Sequence, residues 1–175
     1  MSDHSIPRIE VKGAAGDRHG DWHALLALTE GFSTKMLPVI GHLLGDMSLP
    51  LRDRELMILR RAWLTGTAYQ WVSHVRAARS AGLSDEEIER VGVGPDDDAW
   101  SPADRDVLNA ADELTRDGRL TDGTWNALAA RYDHRQLVEL PLFVGAYAML
   151  GYAQNTLRVR PAIEADSIEG LVPFD

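Results

Sequence analysis

The stretch from Arg54 to His74 limits what this chain can become more than any other. Leu56, Leu59, Ala62 and Trp63 recur at helical spacing, and Gly66 then supplies the left-handed geometry that ends a first helix. A second helix follows at once. Thr67 suits its N-cap, and Gln70, three places on, can reach back to the Thr67 N–H as in a capping box. Helices joined this tightly form an antiparallel hairpin. Glu55 lies 11 residues before Gly66 and His74 lies 8 after it, so at about 1.5 Å per residue the two stand at roughly the same height. A carboxylate and an imidazole can meet there. Thr67, Gln70 and His74, spaced three and four apart, share one mixed face of the second helix.

Outside the hairpin, local signals predict further helices and no strands. Asp21 opens a helix through Trp22, Leu25, Leu26 and Leu28 that ends near Gly31. Ser33 opens another through Leu44, closed by Gly45, with Pro38 predicting a break or kink. Ser84-Asp85-Glu86-Glu87 reads as a capping box before a short helix to about Val91. Ser101-Pro102 starts a helix that runs to Gly118, and Thr121 starts one through about Tyr132. Asp133, with Gln136, caps a long apolar helix from Arg135 to about Leu157. No stretch sustains period-two alternation, so the fold class is all-α. A length of 175 residues allows one domain. It is expected over residues 21–160, between an N-terminal arm (1–20) and a C-terminal tail (161–175).

Composition excludes several classes of function. A net charge of −9 and a pI of about 5.1 argue against nucleic acid and anionic membrane surfaces as partners. With no cysteine in the chain, disulfides, thiol peroxidation, iron–sulfur clusters and thiolate zinc sites are ruled out. No metal or other cofactor is expected. His19 and His23 are four apart but lack a third ligand, and Asp96 to Asp98 lack the glycine and terminal glutamate of a calcium loop. The N-terminus shows no signal-peptide pattern, so a cytoplasmic setting is expected. The most apolar run, Leu137 to Leu150, carries Glu139 and Pro141 and falls short of the roughly 18 residues a membrane span requires.

The second half echoes the first. Arg54-Glu55-Leu56 and Arg135-Gln136-Leu137 open the two segments, and His74 and Asn155 each follow their arginine by 20 residues. Trp71 and Tyr152 match at offsets of 17. A degenerate internal duplication predicts that only the first copy kept an ionisable pair, with Gln136 and Asn155 as its neutral counterparts.

The central motif resembles the signature of the carboxymuconolactone decarboxylase and alkylhydroperoxidase D (AhpD) superfamily. Its peroxidase branch has a Glu, then Cys-x-x-Cys twelve residues on, then a His four after the second Cys. Glu55, Thr67, Gln70 and His74 fit those intervals, with Thr67 and Gln70 where that branch has its thiols. The likeness runs from about Ile40 to Leu157. It implies an AhpD-like helical bundle around the hairpin, a homotrimer or homohexamer, and a proton relay through Glu55 and His74. It also implies a cofactor-independent lyase of the decarboxylase type acting on a small organic acid or lactone.

From the residues themselves, Glu55 can orient His74 and stabilise its protonated form, leaving the other ring nitrogen for a substrate. The plain alternative is a buried ion pair that fixes helix packing. Thr67, Tyr69, Gln70 and Trp71 are the substrate-binding candidates, against the alternatives of a helix cap for Thr67 and of core or interface packing for Trp71 and Trp63. Arg60, Arg61, Arg76 and Arg79 lie close enough for one of them to hold a substrate carboxylate. Other readings are a related proton-transfer isomerase or lyase, or a non-catalytic protein that binds a small ligand. Helices near Leu56 to Leu64 and Leu137 to Leu150 are apolar on most sides, which predicts that more than one chain is needed to cover both.

Overall fold

In the computed structural model, residues 6–11 and 21–161 are described. The chain winds through α1 (Asp21–Ala27), α2 (Glu30–Gly45), α3 (Leu51–Thr65), α4 (Ala68–Ser80), α5 (Asp85–Arg90), α6 (Pro102–Arg116), α7 (Asp122–Ala129) and α8 (His134–Leu157). No strand occurs among the described residues. His19 and most of the expected arm and tail lie outside them.

The axis of the fold is α3. Pro50, with φ −53° and ψ 137°, starts it, and Gly66, left-handed at φ 61° and ψ 32°, stops it where the sequence predicts. Every residue from Asp53 to Ala62 is buried, with α4, α6 and α8 packed around it. Leu56, Met57, Ile58 and Leu59 join Val72 and Val75 of α4, Val107 and Leu108 of α6, and Leu140 and Phe143 of α8 in one core. Each large side chain so buried contributes roughly 1.5–3 kcal/mol.

The same helix carries charges into that core, and neighbouring elements meet most of them. Arg52 reaches Glu87 at 2.6 Å and Asp104 at 3.0 Å. Asp53 accepts hydrogen bonds from the Tyr132 hydroxyl and from Arg131. Arg54 donates to the carbonyls of Leu43 and Leu44 on α2. Arg60 clasps Asp112 of α6 with two nitrogens and donates to the carbonyls of Val91 and Gly92. Buried charges are tolerated only with partners. These contacts therefore fix how the other helices are placed around α3.

Most predicted caps form. Ser84 with Glu87 and Asp133 with Gln136 make capping boxes, and Ser101 and Thr121 accept from the N–H groups of Asp104 and Thr124. Three expectations fail. Thr67 occupies the N-cap position, but its hydroxyl pairs with that of Thr65 at 2.8 Å and Gln70 turns elsewhere, so no capping box exists. α2 starts at Glu30 and runs through Pro38 unbroken, with Ser33 inside it donating to the Glu30 carbonyl. The sequence echo does not become a second hairpin. Gln136 and Asn155 lie 19 residues apart on α8, about 28 Å at 1.5 Å per residue. Neither can face the other; Gln136 donates to the Ser48 carbonyl and Asn155 to that of Thr65.

α8 extends past the run read from sequence, and its 24 residues are long and apolar enough by length and composition to cross a membrane. In the fold, its inner face of Leu137, Leu140, Phe143 and Val144 belongs to the core. Val138, Leu142, Met149 and Tyr152 face outward and are exposed. Of the two helices expected to need cover from another chain, α3 is enclosed by its own chain and only α8 keeps an open apolar face.

Candidate active site

The antiparallel run of α3 and α4 brings Glu55 Oε2 within 2.8 Å of His74 Nδ1. Both side chains are shielded, at 6% and 12% exposure for Glu55 and His74 respectively. An ionised carboxylate only accepts, so Nδ1 carries the proton of that bond. That leaves Nε2, which has no hydrogen-bond partner among the described residues. His74 lines a cavity of about 400 Å³ bounded by α1, α2, α4 and α8, and Glu55 does not. The imidazole thus stands between the carboxylate and the cavity.

Tyr147 of α8 meets the His74 ring edge-on, with centroids 5.2 Å apart at 78°, and also lines the cavity. Burial raises its hydroxyl above the usual phenol range and the Glu55 charge raises it further. It stays a neutral donor. The apolar wall comes from Trp22 and Leu26 of α1, Leu37, Ile40 and Leu44 of α2, and Leu150 of α8. Gln154, one turn beyond Leu150, lines the same space, and its Oε1 is buried without a partner among the described residues. Buried carbonyls without a donor cost about 1–3 kcal/mol. The cavity therefore combines an imidazole nitrogen, a phenol, a carboxamide and a greasy wall, the composition of a site for a small, partly apolar molecule.

Residues 33–113, which include both Glu55 and His74, match the model of the carboxymuconolactone decarboxylase family. Over those residues, less than half of the chain, the sequence is similar to that family. Its fold is similar to a crystal structure from Agrobacterium tumefaciens, that of a protein of unknown function proposed to be the antioxidant defence protein AhpD. The two share 21% identity with a TM-score of 0.69, over 78% of this chain and 93% of the other. No curated protein matches the sequence.

The chain places its other candidate residues unevenly. Tyr69 lines the cavity and packs on Trp22 at 6.2 Å. Gln70 lines it too, but both ends of its amide are engaged. Oε1 accepts from Arg61 Nη1 at 3.0 Å, and Nε2 donates to the Tyr147 carbonyl at 2.9 Å. Gln70 is a strut between three helices. Thr67 is fully buried and lies off the cavity. Trp71, one residue past Gln70 and so turned about 100° around α4, packs on Trp63 at 5.8 Å in the main core. Neither Thr67 nor Trp71 is a cavity wall. The arginine expectation also changes, because no arginine among the described residues lines the cavity. Arg60 is held by Asp112, Arg79 by Asp85, and Arg76 is exposed.

Tyr147 and Gln154 were not singled out by the sequence. A signal existed, since Tyr147, Leu150 and Gln154 are spaced three and four apart and share one face of α8. What no local pattern carries is that this face meets His74, 73 residues before Tyr147.

Proposed function

We propose that the protein is a cofactor-independent proton-transfer enzyme, a lyase of the carboxymuconolactone decarboxylase type, acting on a small organic acid or lactone in the His74 cavity. One observation carries this reading: His74 Nδ1 is engaged by Glu55 at 2.8 Å while Nε2, beside the cavity, has no hydrogen-bond partner among the described residues. An acid whose own carbonyl or alkene is conjugated to the breaking bond supplies its electron sink. The bond to the carboxylate breaks, CO₂ leaves, and the electron pair passes into that conjugated system. Protonated His74 then returns a proton to carbon, and Glu55 orients the ring. Tyr147, kept neutral, serves in this reading as the donor toward the developing oxyanion. Thiol chemistry has no part, as the chain contains no cysteine.

The test is turnover of a panel of small lactones and β-keto acids by wild type and His74→Gln. Glutamine keeps a polar amide but carries no exchangeable charge, and the loss expected is about 100-fold or more. The wild-type pH–rate profile should show an ionisation that disappears in the variant. Near wild-type turnover by His74→Gln sinks the assignment. Glu55→Gln should cost less, because it removes orientation and leaves the imidazole.

The working form we propose is a homo-oligomer, a trimer or hexamer, closed over the outer face of α8, where Val138, Leu142, Met149 and Tyr152 are exposed. Light scattering should give at least about three times the 19.3 kDa chain mass. A monomer that is folded and active removes assembly from the mechanism.

A further inference from the structure

A second cavity, of about 510 Å³, opens between α3, α6 and α8, and shares no lining residue with the His74 cavity. Arg61 lies in its wall, 2% exposed as a residue. No carboxylate lies within ion-pairing distance of it among the described residues. Arg52, Arg60 and Arg79 each turn the Nε and Nη2 edge of the guanidinium onto a carboxylate. On Arg61 that edge is empty. Among the described residues, Nη1 donates to Gln70, Nε is buried without an acceptor, Nη2 makes no hydrogen bond, and the guanidinium carbon stands 6.0 Å from the centroid of the Tyr152 ring. A second orphan lies in the same wall, since Thr115 Oγ1 is buried and unpartnered. Threonine inside a helix usually gives its hydroxyl to the preceding turn. Gly151 makes the room, for a Cβ there would stand 2.7 Å from Arg61 Nη1.

We infer that this cavity is a binding site for a small organic monocarboxylate, distinct from the His74 site. The carboxylate takes the bidentate edge of Arg61, with the Thr115 hydroxyl as a third donor, and the apolar body lies against Leu114, Val144 and Met149. A buried cation without a counter-charge is costly, and a bound anion removes that cost. Burial pulls the Arg61 pKa down, in keeping with a guanidinium that lacks its anion. One unmatched cation calls for one negative charge. The walls favour an aliphatic or aromatic acid over phosphate or a dicarboxylate.

The test titrates the full-length protein calorimetrically with benzoate and hexanoate, using benzamide and hexanamide as neutral controls. Saturable binding of the acids and not the amides is expected. Arg61→Met should weaken it at least about tenfold, Thr115→Val by a few fold, and His74→Gln should leave it unchanged. Should Arg61→Met not fold, Gly151→Ala keeps the charge, displaces the guanidinium and should also weaken binding. Absence of saturable binding to wild type overturns the proposal, as does equal binding by Arg61→Met. Binding lost in His74→Gln places the acid in the other cavity and overturns it too. A fall in oligomer mass in Arg61→Met, with no acid bound by wild type, overturns it in favour of a carboxylate from a second copy.

Discussion

Arg60 and Arg61 are consecutive residues of one helix, both buried, and they differ in everything else. Arg60 is enclosed by Asp112 and by the carbonyls of Val91 and Gly92. Arg61 has, among the described residues, a single neutral acceptor in Gln70, the Tyr152 ring 6.0 Å away and an open cavity beside it. One step along a helix turns a side chain by about 100°, which is enough here to separate a joint in the structure from a group left free to bind. Burial alone does not tell what a charge is for. The partners do.

Removing the partner should break the first case most severely. Asp112→Ala leaves Arg60 buried and uncompensated, and should lower stability by about 3–5 kcal/mol, read from the denaturant midpoint. A loss below about 1 kcal/mol would show that the Arg60 joint is dispensable. Next is Gly94→Ala. Gly94 has φ +93°, and an added Cβ would stand 2.4 Å from Arg60 Nη2, which is pinned by its bonds. We expect a cost of about 2 kcal/mol, against less than about 1 kcal/mol for Gly151→Ala. There the displaced atom is the loose end of Arg61, and alanine favours the helix.

The contrast can also be titrated. Hydrogen bonds from Arg52 hold the Glu87 carboxyl below its usual range. Burial acts to raise those of Asp104 and Glu139, but hydrogen bonds from Arg52 and Ser101, and from Ser48 and Arg135, outweigh it. Groups lowered on folding add stability above their unfolded pKa values, 4.5 for Glu and 3.8 for Asp, and lose it as pH falls through the folded ones. The denaturant midpoint should therefore be level from about pH 7 to 5 and fall below about pH 4.5. A midpoint unchanged at pH 3 would show that these carboxylates hold nothing. The smallest effect is expected from Arg61→Met, within about 1 kcal/mol of wild type, because replacing a buried cation that has no carboxylate partner by a flexible apolar chain offsets the hydrogen bond lost at Gln70 Oε1. A loss above about 3 kcal/mol would place Arg61 with Arg60 as a structural residue.

The sequence made legible what is decided within a few residues. Ser84, Ser101, Thr121 and Asp133 cap their helices because each cap is satisfied within three positions. Glu55 and His74 meet because a hairpin with a tight turn leaves little freedom in register. Thr67 was misread, since Thr65 lies close enough to take its hydroxyl. The resemblance between the two halves misled for a related reason: a turn at Gly66 makes a hairpin, and its absence in α8 makes one rod. Tyr147, Gln154 and the orphaned edge of Arg61 depend on how α8 lies across α3 and α4. That placement is set by the whole core.

Gln70 also bears on how such a chain can change over evolutionary time. A cysteine at position 70 would offer neither a carbonyl for Arg61 nor an amide for the Tyr147 carbonyl, so it would strand a buried cation and a buried acceptor together. A cysteine at position 67 would lie fully enclosed, away from the cavity. Thiols grafted onto this backbone would be met first by a loss of fold, unless Arg61 had already been replaced.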